Sequence, residues 1–187
     1  DDMTPRVLKA LSAVDAVYCE DTRRTRALMT HFGLAKPLRR YDDRREEDAR
    51  GLLERLARGE NLALVSDSGL PCVSDPGLRA VSMARQAGHP VTALPGANAA
   101  TAALAGSGLP ADSFVFLGFL ARSPGKRRRA ISAAAALGKT LVIYESPFRV
   151  IALLEEAQEV LGAQTQTCVV RELSKIFQIV DQKLAAF

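Results

Sequence analysis

The sequence predicts an α/β protein with mostly parallel sheets and helices on both sheet faces. Three observations lead there. Short apolar runs alternate with helical stripes along all 187 residues. Runs such as Leu62-Ala63-Leu64-Val65 are continuously apolar, as strands buried on both faces are. The runs then give way to polar, Gly- and Pro-containing loops before the next helical pattern, which puts polar loops at carboxyl strand ends, where open α/β sheets bind ligands.

Taken in order, Thr4-Pro5 reads as N-cap and first helical position, with Val7, Leu8, Leu11 and Val14 as the apolar stripe. Ala16-Val17-Tyr18-Cys19 is a short buried strand ending in Glu20-Asp21-Thr22-Arg23. A helix through Ala27, Leu28 and His31 stops at Gly33, and residues 38–41 form a weak strand. Residues 46–58 form an amphipathic helix carrying Leu52, Leu53 and Leu56 and closed by Gly59. The strand 62–65 leads into Ser66-Asp67-Ser68-Gly69-Leu70-Pro71-Cys72-Val73-Ser74-Asp75-Pro76-Gly77. There Gly69 and Gly77 allow close backbone approach and Asp75 is placed to cap the next helix, whose stripe is Leu78, Val81 and Ala84. A strand at 91–94 and a small-residue helix at 97–105 follow.

Gly106-Ser107-Gly108-Leu109-Pro110-Ala111-Asp112 is the densest cluster of breakers, and the domain boundary is placed there, giving domains 1–109 and 110–187. Beyond it come a strand at 114–117, a helix at 126–137, a strand at 141–144, a helix at 150–161 and a last strand at 167–170.

Composition is that of a soluble globular chain, 48% hydrophobic and 25% charged, with no run long enough to span a bilayer and no signal peptide. The three scattered cysteines, Cys19, Cys72 and Cys168, lack metal spacing and suggest a reducing cytoplasm. With His31 and His89 the only histidines, a histidine triad or zinc site is not expected, and no metal site is assigned. There is no phosphate loop, no dinucleotide fingerprint and no glycine-rich turn of the commonest methyltransferase fold. The net charge is +4, but basic residues cluster at Arg23-Arg24, at Arg39-Arg40 with Arg44-Arg45, and at Lys126-Arg127-Arg128-Arg129. Between Asp112 and Glu145 there are six Lys or Arg and no acid. Solvated helix faces explain such runs in general; three of them in a small protein raise the case for a polyanionic partner.

Four strand-end segments, read together, match one family: Cys19-Glu20-Asp21-Thr22-Arg23, residues 66–77, Tyr144-Glu145-Ser146-Pro147-Phe148-Arg149 and Arg171-Glu172-Leu173-Ser174-Lys175. With Pro95-Gly96-Ala97-Asn98-Ala99 and Gly118-Phe119-Leu120, they resemble the ribosomal RNA small-subunit methyltransferase I family, the RNA-modifying branch of the tetrapyrrole methylase superfamily. The resemblance covers residues 1 to about 175. It implies a two-domain fold holding S-adenosylmethionine in a cleft between the domains. The implied activity is 2′-O-methylation of a cytidine in small-subunit (16S) ribosomal RNA, or in the assembled subunit, by a cytoplasmic homodimer. Carried over by position, Asp67, Ser68, Gly69 and Leu70 match the segment holding the methionine end of the cofactor. Asn98 and Ala99 match a Ser/Thr-Ala pair lining the cofactor site, and Tyr144 and Glu145 stand at the strand end facing the adenosine. The family's first strand and its Thr-Pro-Ile-Gly-Asn-type loop are expected before Asp1, its Pro-Gly-Pro-Ser turn is Pro-Gly-Ala-Asn here, and residues 176–187 depart from its pattern and end early.

A ribose hydroxyl is a weak nucleophile, and a nearby acceptor such as a carboxylate can take its proton as the new bond forms. Glu20, Asp21, Glu145 and Glu172 all stand at strand ends, and Lys175 can stabilise an oxyanion. Glu20 or Asp21 is taken as the catalytic acceptor, although each can equally pair with Arg23 or cap a helix. Arg23, Arg24, Lys126, Arg127, Arg128 and Arg129 are taken as RNA contacts. The competing expectations are a methylase of tetrapyrrole or another small molecule on the same fold, and a ribosome-associated RNA-binding module without catalysis.

Overall fold

The computed structural model describes residues 2–67 and 69–183, the last three by backbone alone. The chain forms two compact units, Asp1–Asn98 and Ala99–Phe187.

In the first unit, helix α1 (Pro5–Ala13) starts as its sequence requires: Thr4 Oγ1 accepts the Val7 N–H at 3.2 Å and Pro5 supplies the fixed φ of a first turn. Strand β1 (Ala16–Cys19) is buried at every residue because it is the centre of a parallel sheet, flanked by β2 (Leu38–Arg40) and β3 (Leu62–Val65) in the order β2-β1-β3. Ala16 stands opposite Leu62 and Val17 opposite both Ala63 and Leu38. The pleat then divides the core in two. Val17 packs with Leu11 of α1 and Met29 of α2 (Thr22–His31), whereas Tyr18 packs with Leu52 of α3 (Glu46–Ala57) and Ala80 of α4 (Leu78–Gln86). Helices therefore cover both sheet faces, as the continuous apolar runs require.

Two local expectations change. Helix α4 buries Ala80 and Ala84, whose small side chains line one face at i, i+4, and leaves Leu78 69% exposed in its first turn. Residues 91–94 form no strand: no described strand hydrogen-bonds to them, and a strand exists only through such pairing.

The second unit begins with α5 (Ala99–Ser107), so the contacts divide the chain at residues 98/99, ahead of the breaker cluster at 106–112. Strands β4 (Phe114–Phe119) and β5 (Thr140–Tyr144) pair in parallel, with an irregularity between Phe116 and Gly118. Helices α6 (Pro124–Ala135) and α7 (Val150–Leu161) are joined by a buried ion pair between Arg127 and Glu156. Strand β6 (Thr167–Arg171) turns back antiparallel into β7 (Ile179–Lys183), a strand the sequence pattern does not announce.

Candidate functional site

All three strands of the first unit run the same way, so their carboxyl ends lie along one edge. Glu20-Asp21 follows β1, Tyr41-Asp42-Asp43 follows β2 and Ser66-Asp67 follows β3. Two of these ends are laced together by backbone donors. The Asp67 N–H donates to Glu20 Oε1 and the Asp21 N–H donates to Asp67 Oδ1, both at 3.3 Å. A cleft of about 360 Å³ opens beside them, lined by Glu20, Tyr41, Asp42, Asp43, Ser74 and Asp75 among others.

The two candidate proton acceptors separate clearly. Asp21 is the N-cap of α2: its Oδ1 accepts the Arg23 N–H at 2.8 Å, and its carboxylate pairs with the Arg23 guanidinium at 2.9 Å. The Arg23 side-chain hydrogen bonds hold it down to about 2. Glu20 caps nothing. Burial pushes its carboxyl up first, and Asp75, Asp67 and Asp42 push it further, against the lowering effect of the Asp67 N–H. A carboxylate raised this way is the better base.

Asp75 does not cap α4, contrary to the sequence expectation. The N-cap is Gly77, at φ +137°, and the acceptor comes from the β2–α3 loop: Asp43 takes the Gly77 N–H at 2.8 Å and the Arg79 N–H at 3.3 Å. Tyr41, fully buried, donates its hydroxyl hydrogen to Asp43 and accepts the Ala80 N–H at 3.1 Å. Asp75 thus remains on the cleft wall, its carboxyl raised by burial and by Asp67. Asp42, Asp43 and Asp75 are the residues missed as members of the site. The signal was present, since Asp42-Asp43 follows its strand just as Glu20-Asp21 follows its own.

Of the residues matched to the cofactor, Asp67 lies at the edge already described, half-shielded, with the Arg24 guanidinium 3.6 Å from Oδ2. Gly69, at φ +94°, runs past Ala97: a Cβ there would sit 3.6 Å from the Ala97 carbonyl, so the loop at 69–70 adjoins the turn holding Asn98. Leu70 and Asn98 are partly buried; Ser68 lies outside the described residues. In the second unit Ala99 is the exposed first residue of α5. The Tyr144 hydroxyl accepts the Ala100 N–H at 3.1 Å, and its ring meets Phe116 and Phe119 edge-on at 5.0 and 5.6 Å. Glu145 is 3% exposed; its Oε1 accepts the Ser146 N–H at 2.7 Å and pairs with Arg149, while Oε2 is buried with no hydrogen-bond partner among the described residues.

The basic run needs a correction. Arg127 is 5% exposed and doubly hydrogen-bonded to Glu156, and Arg128 pairs with Glu159 at 3.1 Å. The acids that neutralise them come from α7, so their absence from residues 113–144 does not leave the run unpaired. Arg127 is not presented to a surface partner; Lys126 and Arg129 are exposed. Arg23 and Arg24 are exposed on α2. Among the described residues no group of His, Cys, Asp and Glu is arranged to hold a metal ion, and no helix is long and apolar enough to cross a membrane.

Residues 1–186 match the family model of the tetrapyrrole (corrin/porphyrin) methylases. Two relatives are each named ribosomal RNA small subunit methyltransferase I. The one from Vibrio cholerae is 40% identical over 96% of this chain and 63% of its own length. The one from Xylella fastidiosa is 42% identical over 98% of this chain and 68% of its own. The chain thus spans less than two thirds of the Vibrio protein. Among solved structures, a cobalt precorrin-4 methyltransferase superposes with a TM-score of 0.66 at 14% identity, covering 97% of this chain and 79% of its own. A uroporphyrin-III C-methyltransferase from Thermus thermophilus, complexed with S-adenosyl homocysteine, superposes with a TM-score of 0.61 at 21% identity, covering 97% and 81%. By sequence and by fold, this chain belongs to the tetrapyrrole (corrin/porphyrin) methylase family, in its ribosomal RNA small subunit methyltransferase I branch.

Proposed function

We propose that this chain carries the catalytic fold of an S-adenosylmethionine-dependent methyltransferase that modifies small-subunit ribosomal RNA at the 2′-hydroxyl of a cytidine. The observation that carries the reading is Glu20, a carboxyl raised by burial and by three neighbouring acids, at a strand-end cleft of a chain about 40% identical to ribosomal RNA methyltransferases. The donor set suits the cofactor. Its sulfonium and ammonium are cationic, and Asp67 and Asp75 offer carboxylates near the two ends of the loop that follows β3. The Asp67 carboxylate and the Arg24 guanidinium stand together, as the two ends of an amino acid require. Gly69 holds the loop in its course past Ala97 by a φ of +94°, which an L side chain rarely adopts.

When bound, S-adenosylmethionine supplies an electrophilic methyl group whose carbon–sulfur bond breaks as the ribose oxygen attacks. The chain has two tasks. One is to hold the hydroxyl in line, which can supply roughly 7–11 kcal/mol of a bimolecular barrier. The other is to remove the hydroxyl proton, which Glu20 accepts as the new carbon–oxygen bond forms, a contribution of about 10²–10⁴ in rate. Asp21, ionised and committed to α2, orients the strand end. In this reading the enzyme works in the cytoplasm, as a homodimer, on ribosomal RNA or the assembled small subunit.

The test is transfer of radiolabel from methyl-labelled S-adenosylmethionine to small ribosomal subunits that lack the modification, followed by nuclease digestion. Label recovered as 2′-O-methylcytidine supports the proposal. Label on a base, or on a tetrapyrrole acceptor and not on subunits, overturns it.

A further inference from the structure

In the second unit β4 and β5 are parallel neighbours, so the loops after Phe119 and Tyr144 leave from the same edge of their sheet. The end of β4 and the loop after β5 each carry an exposed aromatic ring. Phe119 is 58% exposed, and Phe148 is 98% exposed. Phe148 does not sit on slack chain. Its N–H donates to Ser146 Oγ at 3.2 Å, the Arg149 N–H donates to the Ser146 carbonyl at 2.9 Å, and the Glu145–Arg149 ion pair closes the turn. A braced turn that holds a phenylalanine wholly in water presents that ring to something. The surrounding charge narrows what it is. Arg122 precedes α6 and Lys126 lies in its first turn; both are exposed, and among the described residues no salt bridge joins either to an acid. Rings interleaved with free cations suit stacked bases and phosphates. A second copy of the same surface would instead set like charges against each other.

We infer that this edge, with Phe148 at its tip and Phe119 beside it, is a stacking platform for an unpaired base of an RNA, and that Arg122 and Lys126 hold the flanking phosphates. The inference rests on the RNA-directed reading above and names residues within it. Phe148 carries the specific role of π-surface, and Lys126 carries the salt-dependent one.

The test measures anisotropy of a fluorescein-labelled single-stranded oligocytidylate titrated with the full chain at several salt concentrations. Phe148→Ala, whose ring touches solvent alone, should weaken binding roughly 5- to 150-fold, with a salt slope parallel to wild type. Phe148→Tyr should restore it. Lys126→Ala should flatten the slope by about 0.7, the value for one phosphate lost on a single strand. Unchanged affinity in Phe148→Ala, or no binding of the oligonucleotide by wild type, overturns the inference. So does a loss of S-adenosylmethionine affinity in place of RNA affinity, or a loss of self-association by sedimentation. Methyl transfer to small subunits by the wild-type chain separates the two levels: if it persists, the platform fails and the enzymatic reading stands.

Discussion

Arg127→Ala distinguishes a buried structural cation from a surface contact. The guanidinium joins α6 to α7 by two hydrogen bonds to Glu156, with both side chains less than a tenth exposed. Removing it strands the Glu156 carboxylate in the interior, and breaking such a pair from one side costs about 3–5 kcal/mol. Against a total stability of roughly 5–15 kcal/mol this is a large share. For a chain of this size it lowers the melting temperature by roughly 6–20 °C. The Arg127→Met, Glu156→Leu double variant removes both charges and should recover most of that loss. The effect has a defined pH dependence. Hydrogen bonds from Arg127 hold the Glu156 carboxyl below the usual range, so the ionised pair contributes fully above the unfolded carboxyl's pKa and loses its contribution as pH falls through the folded value. The gap between wild type and Arg127→Ala should therefore be widest near neutrality and close in acid. Thermal and urea unfolding followed by circular dichroism measure it. A variant that melts with wild type yet binds RNA less well would refute the reasoning and return Arg127 to the surface.

Three residues of the first unit carry further expected outcomes. Glu20→Gln should lose turnover by about 10²–10⁴ while keeping cofactor affinity. Because burial and then Asp75 raise Glu20, the activity of wild type should rise with pH through a value above the ordinary glutamate range. In Asp75→Asn that limb should move to lower pH, and an unmoved limb would remove Asp75 from the site. Gly77→Ala should cost about 1–3 kcal/mol in urea unfolding, since its Cβ would stand 2.8 Å from Leu64 Cδ2 and 2.9 Å from Cys72 Sγ at a φ of +137°.

The elements that were legible in the sequence are those whose signal is local. Thr4-Pro5 starts α1, the residues 16–19 and 62–65 are strands, and α7 spans 150–161 because its apolar stripe recurs at helical period. Glu20, Asp21 and Asp67 were legible as strand-end carboxylates for the same reason. What was not legible depends on partners far along the chain. The Arg127 cation is neutralised from 29 residues away, across two helices, so a count of acids within 113–144 could not find Glu156. Asp43 reaches 34 residues forward to the N-terminus of α4, which released Asp75 from the capping role its spacing suggested. Residues 91–94 have strand-forming side chains but no described strand beside them, and β7 exists because β6 offers it an antiparallel edge. Propensity does not encode the partner.

The central claim is that the edge formed by Glu20 and Asp67 receives the methyl donor. Calorimetric titration of S-adenosylmethionine into the wild type and Asp67→Ala, with a melting curve of each, tests it most directly. Among the described residues Asp67 accepts a 3.3 Å backbone hydrogen bond and a 3.6 Å contact from an exposed arginine, so its loss should cost the fold no more than about 1 kcal/mol. A charge-assisted bond to the cofactor is worth more, and affinity should fall roughly 10- to 100-fold. Equal affinities in two equally stable proteins would contradict the claim.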